Sequence, residues 1–140
     1  MEETFQQLVQ KAEKAFTNAD HLTYVTYPLV KEDKLMITIV QNLHTALTQG
    51  AKALVVYEKK ETSFEMLIPK YKISKELSTT LKEVRDIMKK HEESAVEFSR
   101  KKNYIICDDN YRMKKLDLTT LKKYILETRA FIQFLRRLPC

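Results

Sequence analysis

The sequence has very few of the residues that build turns. Its 140 residues include one glycine and three prolines. A β-sandwich or a barrel needs a turn roughly every 8 to 12 residues, and so few glycines and prolines cannot supply them. A single glycine also excludes the Gly-rich phosphate loops of P-loop and dinucleotide-binding proteins. The composition therefore favours helices over strands.

Cysteine is equally scarce. The two cysteines, Cys107 and Cys140, form neither a CxxC pair nor a Cys/His pair at zinc-ligand spacing. No glutamate stands three residues before a histidine, so the di-iron site of helical bundles has no ligands here. The sequence predicts no disulfide framework, no metal site and no cofactor.

The sequence also lacks the signals for export and membrane insertion. It starts with Met1-Glu2-Glu3 instead of the basic start and apolar run of a signal peptide. No stretch approaches the roughly 20 apolar residues of a membrane span. We therefore expect a cytoplasmic protein that does not enter membranes.

Charge is plentiful but unevenly distributed. The formal net charge is +6. Residues 1–98 have a net charge of −1, whereas residues 99–123 hold eight Lys or Arg against three Asp. A positive excess confined to the last third of a chain is typical of a surface that faces a polyanion, most often nucleic acid. A solvated lysine-rich surface is the alternative.

Apolar residues recur at spacings of three and four and predict four amphipathic helices. These helices are expected over residues 2–26, 31–60, 74–91 and 117–138. Pro28 should end the first helix, because the residue before a proline resists helical dihedral angles. Ser74 and Asp117 are suitable N-caps for the third and fourth helices. The apolar stripe of the third helix extends as far as Phe98.

Gly50 lies on the apolar stripe of the second predicted helix. Glycine costs about 1 kcal/mol there relative to alanine, so a close contact should compensate. The first helix presents Ala12, Ala15 and Ala19 on its apolar face. We expect Gly50 to contact these alanines, which would pair the first two helices as an αα-hairpin.

Residues 99–116 lack helical periodicity. The turn-forming triplet Asp108-Asp109-Asn110 separates residues 103–107 from residues 111–116. A short β-hairpin and an ordered basic loop both fit this pattern. The sequence thus predicts one domain over residues 1–140, an all-α antiparallel four-helix bundle with that hairpin or loop before the last helix.

One motif in the third helix carries a possible chemistry. Arg85 is followed directly by Asp86 and, six places on, by His91. This motif resembles that of the HEPN domains, small helical bundles with Arg-x(4–6)-His and often Asn, Asp or His after the arginine. Residues 45–54 are also similar to the second helix of that family. In some HEPN proteins a partner nucleotidyltransferase modifies a tyrosine two places after the histidine, whereas this chain has Glu93 there.

The resemblance implies a metal-independent endoribonuclease, and it allows a toxin-type component of a toxin–antitoxin pair. His91 would exchange protons with the RNA, Arg85 would hold the phosphate, and Asp86 would orient one of them. The nearby cations would steer RNA to the site; they are Lys89, Lys90, Arg100, Lys101 and Lys102. The resemblance also implies a homodimer with both motifs in one cleft, and a nucleotidyltransferase-type partner protein.

The helical geometry sets a condition on this hypothesis. Positions six apart on an ideal helix are rotated by about 240° and separated by about 9 Å. Arg85 and His91 can cooperate only if the helix ends or distorts near His91, or if a second subunit completes the cleft. Otherwise His91 is a buried core histidine and Arg85 pairs with a residue such as Glu92.

Other functions and other roles stay open. The chain would also fit a non-catalytic HEPN-like module that binds a nucleotide, RNA or a partner protein, or a helical assembly subunit. His21 and His44 have no ligand-like partner nearby in sequence, so we expect structural roles for them. Tyr104 and Tyr111 could stack on bases. We expect instead that both tyrosines cover the end of the bundle.

Overall fold

The computed structural model describes residues 3–139 as a helical assembly with a small sheet near the end of the chain. Cys140 and the predicted helix start at Glu2 lie outside the described residues. The helices are α1 (Phe5–His21), a π-helical turn (Leu22–Thr26), α2 (Tyr27–Val30), α3 (Leu35–Glu58), α4 (Phe64–Lys70), α5 (Lys75–Glu92) and α6 (Leu118–Arg137). The strands are β1 (Val96–Arg100), β2 (Asn103–Cys107) and β3 (Met113–Leu116).

Side-chain caps mark where α5 and α6 begin. The Ser74 hydroxyl accepts a hydrogen bond from the backbone N–H of Leu77 at 3.1 Å, at the start of α5. The Asp117 carboxylate accepts one from the backbone N–H of Thr120 at 2.8 Å, at the start of α6. Each bond satisfies a backbone donor that has no partner within the helix. The N-caps predicted at Ser74 and Asp117 are confirmed.

The prediction that Pro28 ends the first helix is wrong. In the π-helical turn, the backbone N–H of Tyr27 bonds to the carbonyl of Leu22, five residues back. Pro28 then lies in the first turn of α2, where a residue without an N–H is tolerated. The helical backbone therefore continues from α1 to Val30.

The core forms where α1, α5 and α6 pack against α3. Ala12 and Ala15 of α1 are buried with Ala46 of α3 and Ile132 of α6, so the predicted pairing of the first two long helices is confirmed. The largest fully buried side chains come from all of these helices and include Leu8, Met36, Leu43, Leu54, Ile87 and Leu135. Within residues 3–139, no helix is long and apolar enough to span a bilayer.

Gly50 makes a close contact, but with a different helix from the one predicted. A Cβ atom at this position would lie 2.7 Å from Cε2 of Phe131 and 3.2 Å from Cδ1 of Leu135, both in α6. Phe131 is itself buried and packs edge-on against Phe64, with ring centroids 5.9 Å apart. The glycine therefore makes room for an aromatic ring of α6 rather than for the alanines of α1.

The prediction of an all-α four-helix bundle is wrong, because the chain also forms a three-stranded antiparallel sheet in the order β1-β2-β3. Of the two structures expected for residues 99–116, the hairpin is the one observed. The strand missed from the sequence is β1, which pairs Val96 with Cys107 and Arg100 with Asn103. Phe98 continues the helical spacing of α5. It also lies two residues after Val96, which is the spacing of neighbours on one face of a strand.

One face of the sheet explains why a strand forms there. Tyr104, Ile106 and Leu116 point from this face into the main core and are all buried. If α5 continued past Glu92, the apolar sheet face of Tyr104, Ile106 and Leu116 would be left uncovered. The sheet instead lies against α5 through β2, and its two turns lie at opposite ends of that strand.

We predict that Gly50→Ala lowers the free energy of unfolding by about 1 kcal/mol. Overpacking a core costs roughly 1–3 kcal/mol, and the better helix propensity of alanine returns only about 1 kcal/mol. Urea unfolding followed by circular dichroism measures the difference. Thr48→Ala, at an exposed position of the same helix, is the matched control and should not destabilise the protein. Equal stability of Gly50→Ala and the wild type would contradict the contact with Phe131.

Candidate functional site

The structure places Arg85 and His91 on different sides of α5. The helix is regular from Lys75 to Glu92, so the rotation of about 240° between the two positions is retained. Arg85 and Asp86 are exposed on the middle of the helix, whereas His91 is half-buried in its last turn. The helix does end directly after His91, but too late to turn the imidazole toward Arg85.

The histidine on which the charge of Arg85 acts is His44 of α3. Burial lowers the pKa of the half-buried His44 below its ordinary value of 6.5, and the positive charge of Arg85 lowers it further. The carboxylate of Glu92 acts in the opposite direction. The charge of Arg85 thus acts on the imidazole of His44 from across the packed helices α3 and α5. The sequence does not indicate this pair, because the pairing depends on which residues face each other across two packed helices.

His91 belongs to a second cluster, which is centred on the carboxylate of Glu97 in β1. Nδ1 of His91 lies 2.6 Å from Glu97, and the hydroxyls of Ser94 and Tyr104 donate to the same carboxylate at 2.5 and 2.8 Å. Burial raises the pKa of Glu97, but these hydrogen bonds outweigh burial and the pKa is lowered overall. This carboxylate joins the end of α5 to β1 and β2, and it occupies Nδ1 of His91.

We predict that Glu97→Gln lowers the free energy of unfolding by about 2 kcal/mol at neutral pH, because an amide presents its own N–H donors to groups that already donate. The lowered pKa of Glu97 means that its stabilising effect is present above its ordinary value of 4.5 and is lost as the pH falls through the lower, folded value. The stability difference between wild type and variant should therefore shrink in acid.

Urea unfolding at neutral and acid pH measures this effect, with the exposed Glu93→Gln as control. A difference between wild type and Glu97→Gln that stays constant with pH would refute the role given to the Glu97 carboxylate.

The turn between β1 and β2 carries two lysines in an unfavourable backbone conformation. Arg100 pairs with Asn103, so the turn consists of Lys101 and Lys102 alone. Both are left-handed, with φ of 50° and 66°, which is the pattern of a type I′ turn. Asn-Gly suits such a turn, whereas a residue with a long side chain costs about 1 kcal/mol or more at each position. Both lysines are exposed, and with Arg100 they form a tip of three consecutive cations.

The turn between β2 and β3 has a different construction. One carboxylate oxygen of Asp108 accepts hydrogen bonds from the backbone N–H groups of Asn110 and Arg112, both at 2.9 Å. Tyr111 between them is left-handed, with φ of 61°, and 88% exposed. The hydrogen bonds from Arg112 and Asn110 and the positive charge of Lys90 lower the pKa of Asp108. The turn therefore holds an aromatic ring in solvent, directly before the cationic Arg112 in the sequence.

The side of the sheet that faces away from the helices is apolar. We call it the outer sheet face; its apolar residues are Val96, Phe98, Ile105, Cys107 and Met113, of which Ile105 is buried, and the polar Arg100, Asn103 and Lys115 lie on the same side. Met113 is 65% exposed, Val96 56% and Phe98 36%. Ile105 in the central strand is flanked by its cross-strand partners Phe98 and Lys115. Exposed apolar side chains that adjoin one another in this way mark interaction sites more often than scattered ones do.

The cations predicted to bind RNA divide between the two ends of this sheet. Arg100, Lys101 and Lys102 lie together at the β1–β2 turn. Lys90 lies near Asp108 at the opposite turn, and Lys89 is exposed in the same last turn of α5. Within one chain, the predicted residues are therefore divided among several places, since His91 contacts Glu97 whereas the charge of Arg85 acts on His44.

The two tyrosines weighed in the sequence have opposite roles. Tyr104 is buried against the helices, as expected, and the burial and its hydrogen bond to Glu97 raise its pKa to about 12. The prediction that Tyr111 covers the end of the bundle is wrong, because its ring is almost fully exposed. The sequence held one signal for this difference: Tyr111 follows the turn-forming triplet, whereas Tyr104 lies within an apolar run.

Comparison of the chain with protein-family models, with curated proteins and with solved structures found no match. The similarity to HEPN domains therefore rests on the short motif and the helical architecture, and membership of that family stays a prediction. No three His, Cys, Asp or Glu side chains among residues 3–139 are grouped so that they could hold a metal ion.

Proposed function

We propose that this protein binds RNA, and that the cations of the β1–β2 turn make the main phosphate contacts. The observation that carries this proposal is the pair Lys101 and Lys102, exposed in a left-handed turn where Asn-Gly would be more stable. Unfavourable backbone conformations persist where function requires the residue. Both lysines are exposed and adjacent, so their charges are available to the phosphates of a bound nucleic acid.

The surrounding charges favour a nucleic acid as the bound polyanion. Arg112 and Lys115 extend the basic surface along the outer sheet face, and Lys89 and Lys90 continue it at the end of α5. A protein that neutralises phosphates releases condensed counterions, so its affinity falls steeply with salt concentration. A cytoplasmic location, as expected from the sequence, belongs to this proposal because RNA is available there.

We predict that the double substitution Lys101→Asn and Lys102→Gly makes the protein more stable but weakens RNA binding. Removing two left-handed lysines should raise the free energy of unfolding by roughly 1–2 kcal/mol. Losing two phosphate contacts should weaken binding roughly tenfold at low salt and lower the slope of log affinity against log salt by about 1.5. Urea unfolding and fluorescence anisotropy with a labelled RNA measure the two effects.

Lys59→Gly is the matched control, because Lys59 is also left-handed, with φ of 55°. It caps the far end of α3, whose 24 residues span about 36 Å, while the residues that precede α3 contact the sheet through Asp33 and Ser99. This control should gain stability and keep its RNA affinity. Wild-type protein without salt-dependent RNA affinity, or a double variant that binds RNA as tightly as the wild type, would refute the proposal.

Metal-independent RNA cleavage is the second candidate function. The observation that favours it is the half-buried His44, whose pKa is lowered first by burial and then by the positive charge of Arg85 on the helix packed against it. A neutral imidazole can accept the proton of a 2′-hydroxyl, and a guanidinium can stabilise the charge that develops on the phosphate. His44 is in this respect a better partner for Arg85 than His91, whose Nδ1 already meets Glu97.

We predict that any RNA cleavage in EDTA is lost in Arg85→Ala and in His44→Ala and is retained in His91→Ala. Gel analysis of a labelled RNA after incubation with each purified variant provides the measurement. Loss of cleavage in His91→Ala but not in His44→Ala would instead support the pair that the HEPN motif implies. If the RNA stays intact after incubation with wild-type protein, the cleavage function is refuted and RNA binding is the function that remains.

The remaining consequences of the HEPN resemblance are part of the same proposal. They are a homodimer, a toxin-type role and a nucleotidyltransferase-type partner protein. Size-exclusion chromatography with light scattering tests the first of these. Since Glu93 stands where a modified tyrosine would be, control by that modification is not proposed.

A further inference from the structure

We infer that the outer sheet face is a platform on which unpaired bases stack, so that the RNA bound by this protein is single-stranded. The inference rests on the proposed function and specifies its substrate class. It is carried by the exposed apolar face between two cationic turns and by the ring of Tyr111 at one end of that face.

The dimensions of the face suit a short stretch of nucleic acid. Its central strand, β2, has five residues. Its first and last Cα atoms are four steps of about 3.4 Å apart, a distance of about 14 Å. The cationic tip of Lys101 and Lys102 lies at one end of this strand and Arg112 at the other. Phosphates held at the two ends would leave the intervening bases over Phe98 and its apolar neighbours.

Tyr111 is prepared for stacking before any ligand arrives. Two hydrogen bonds from backbone N–H groups to Asp108 fix the turn that carries it, and the residue keeps a left-handed backbone with its ring in solvent. An exposed aromatic ring gains nothing from the fold in that position. Stacking of a base on such a ring is sequence-tolerant, because every base has a π-face, and little ordering remains to be done on binding.

The charges decide between the possible occupants of the face. A second copy of the chain would bring the same cations together across a two-fold axis, and like charges at an interface repel one another. An RNA duplex matches the charge, but its bases are stacked on one another and paired, so their faces cannot reach the sheet. A single strand supplies both phosphates and free base faces.

Fluorescence anisotropy with a labelled single strand of about 12 nucleotides, and with the duplex of the same sequence, tests the inference. Tyr111→Ala should weaken single-strand binding roughly 5- to 50-fold and leave duplex binding unchanged. Tyr111→Phe, which retains the ring, should bind like the wild type. Phe98→Ala should resemble Tyr111→Ala, with circular dichroism as the check on its folding. Leu29→Ala, at an exposed apolar position of α2, is the matched control and should change neither affinity.

The outcomes separate this inference from the proposed function. If the wild type binds RNA in a salt-dependent manner but Tyr111→Ala binds both probes as the wild type does, the stacking platform is refuted and RNA binding stands. Equal losses for single strand and duplex would refute it as well. If the wild type binds neither probe, the proposed function itself fails.

Discussion

The carboxylate of Glu97 is the interaction on which the arrangement of the functional surfaces depends. It receives hydrogen bonds from Ser94 and Tyr104 and contacts Nδ1 of His91, so it joins the end of α5 to two strands of the sheet. A buried charge is tolerated only when it is paired and hydrogen-bonded, and here three groups meet that requirement at once. Together with the burial of Tyr104, Ile106 and Leu116, this contact holds the sheet and its two turns against the helices.

Sequence patterns predicted the long helices, their caps at Ser74 and Asp117, and the basic last third of the chain. They failed at β1, because Phe98 satisfies both the helical and the strand period and only the burial of the opposite face decides between them. The candidate site was harder still to predict. Whether Arg85 meets His91 or His44 depends on how α3 packs against α5, and no spacing within one helix contains that information.

The scarcity of glycine has a structural counterpart. Among residues 3–139, six non-glycine residues have left-handed backbones, and five of them are lysines: Lys31, Lys59, Lys72, Lys101 and Lys102. Some of these lysines end helices, where glycine is the usual residue. At these positions a less stable backbone conformation thus occurs together with positive charge on the surface. The effect is largest where two such lysines are adjacent.

The left-handed lysine turn also has a consequence for the order of folding. A type I′ turn of Asn-Gly can nucleate a hairpin by itself, whereas a turn of two lysines favours the open chain. The strands must therefore be brought together by the packing of Tyr104 and Ile106 onto helices that have already formed. Partial unfolding of the native protein should accordingly begin at the sheet. The amide hydrogens of its edge strand β1 should then exchange with solvent before those of α3.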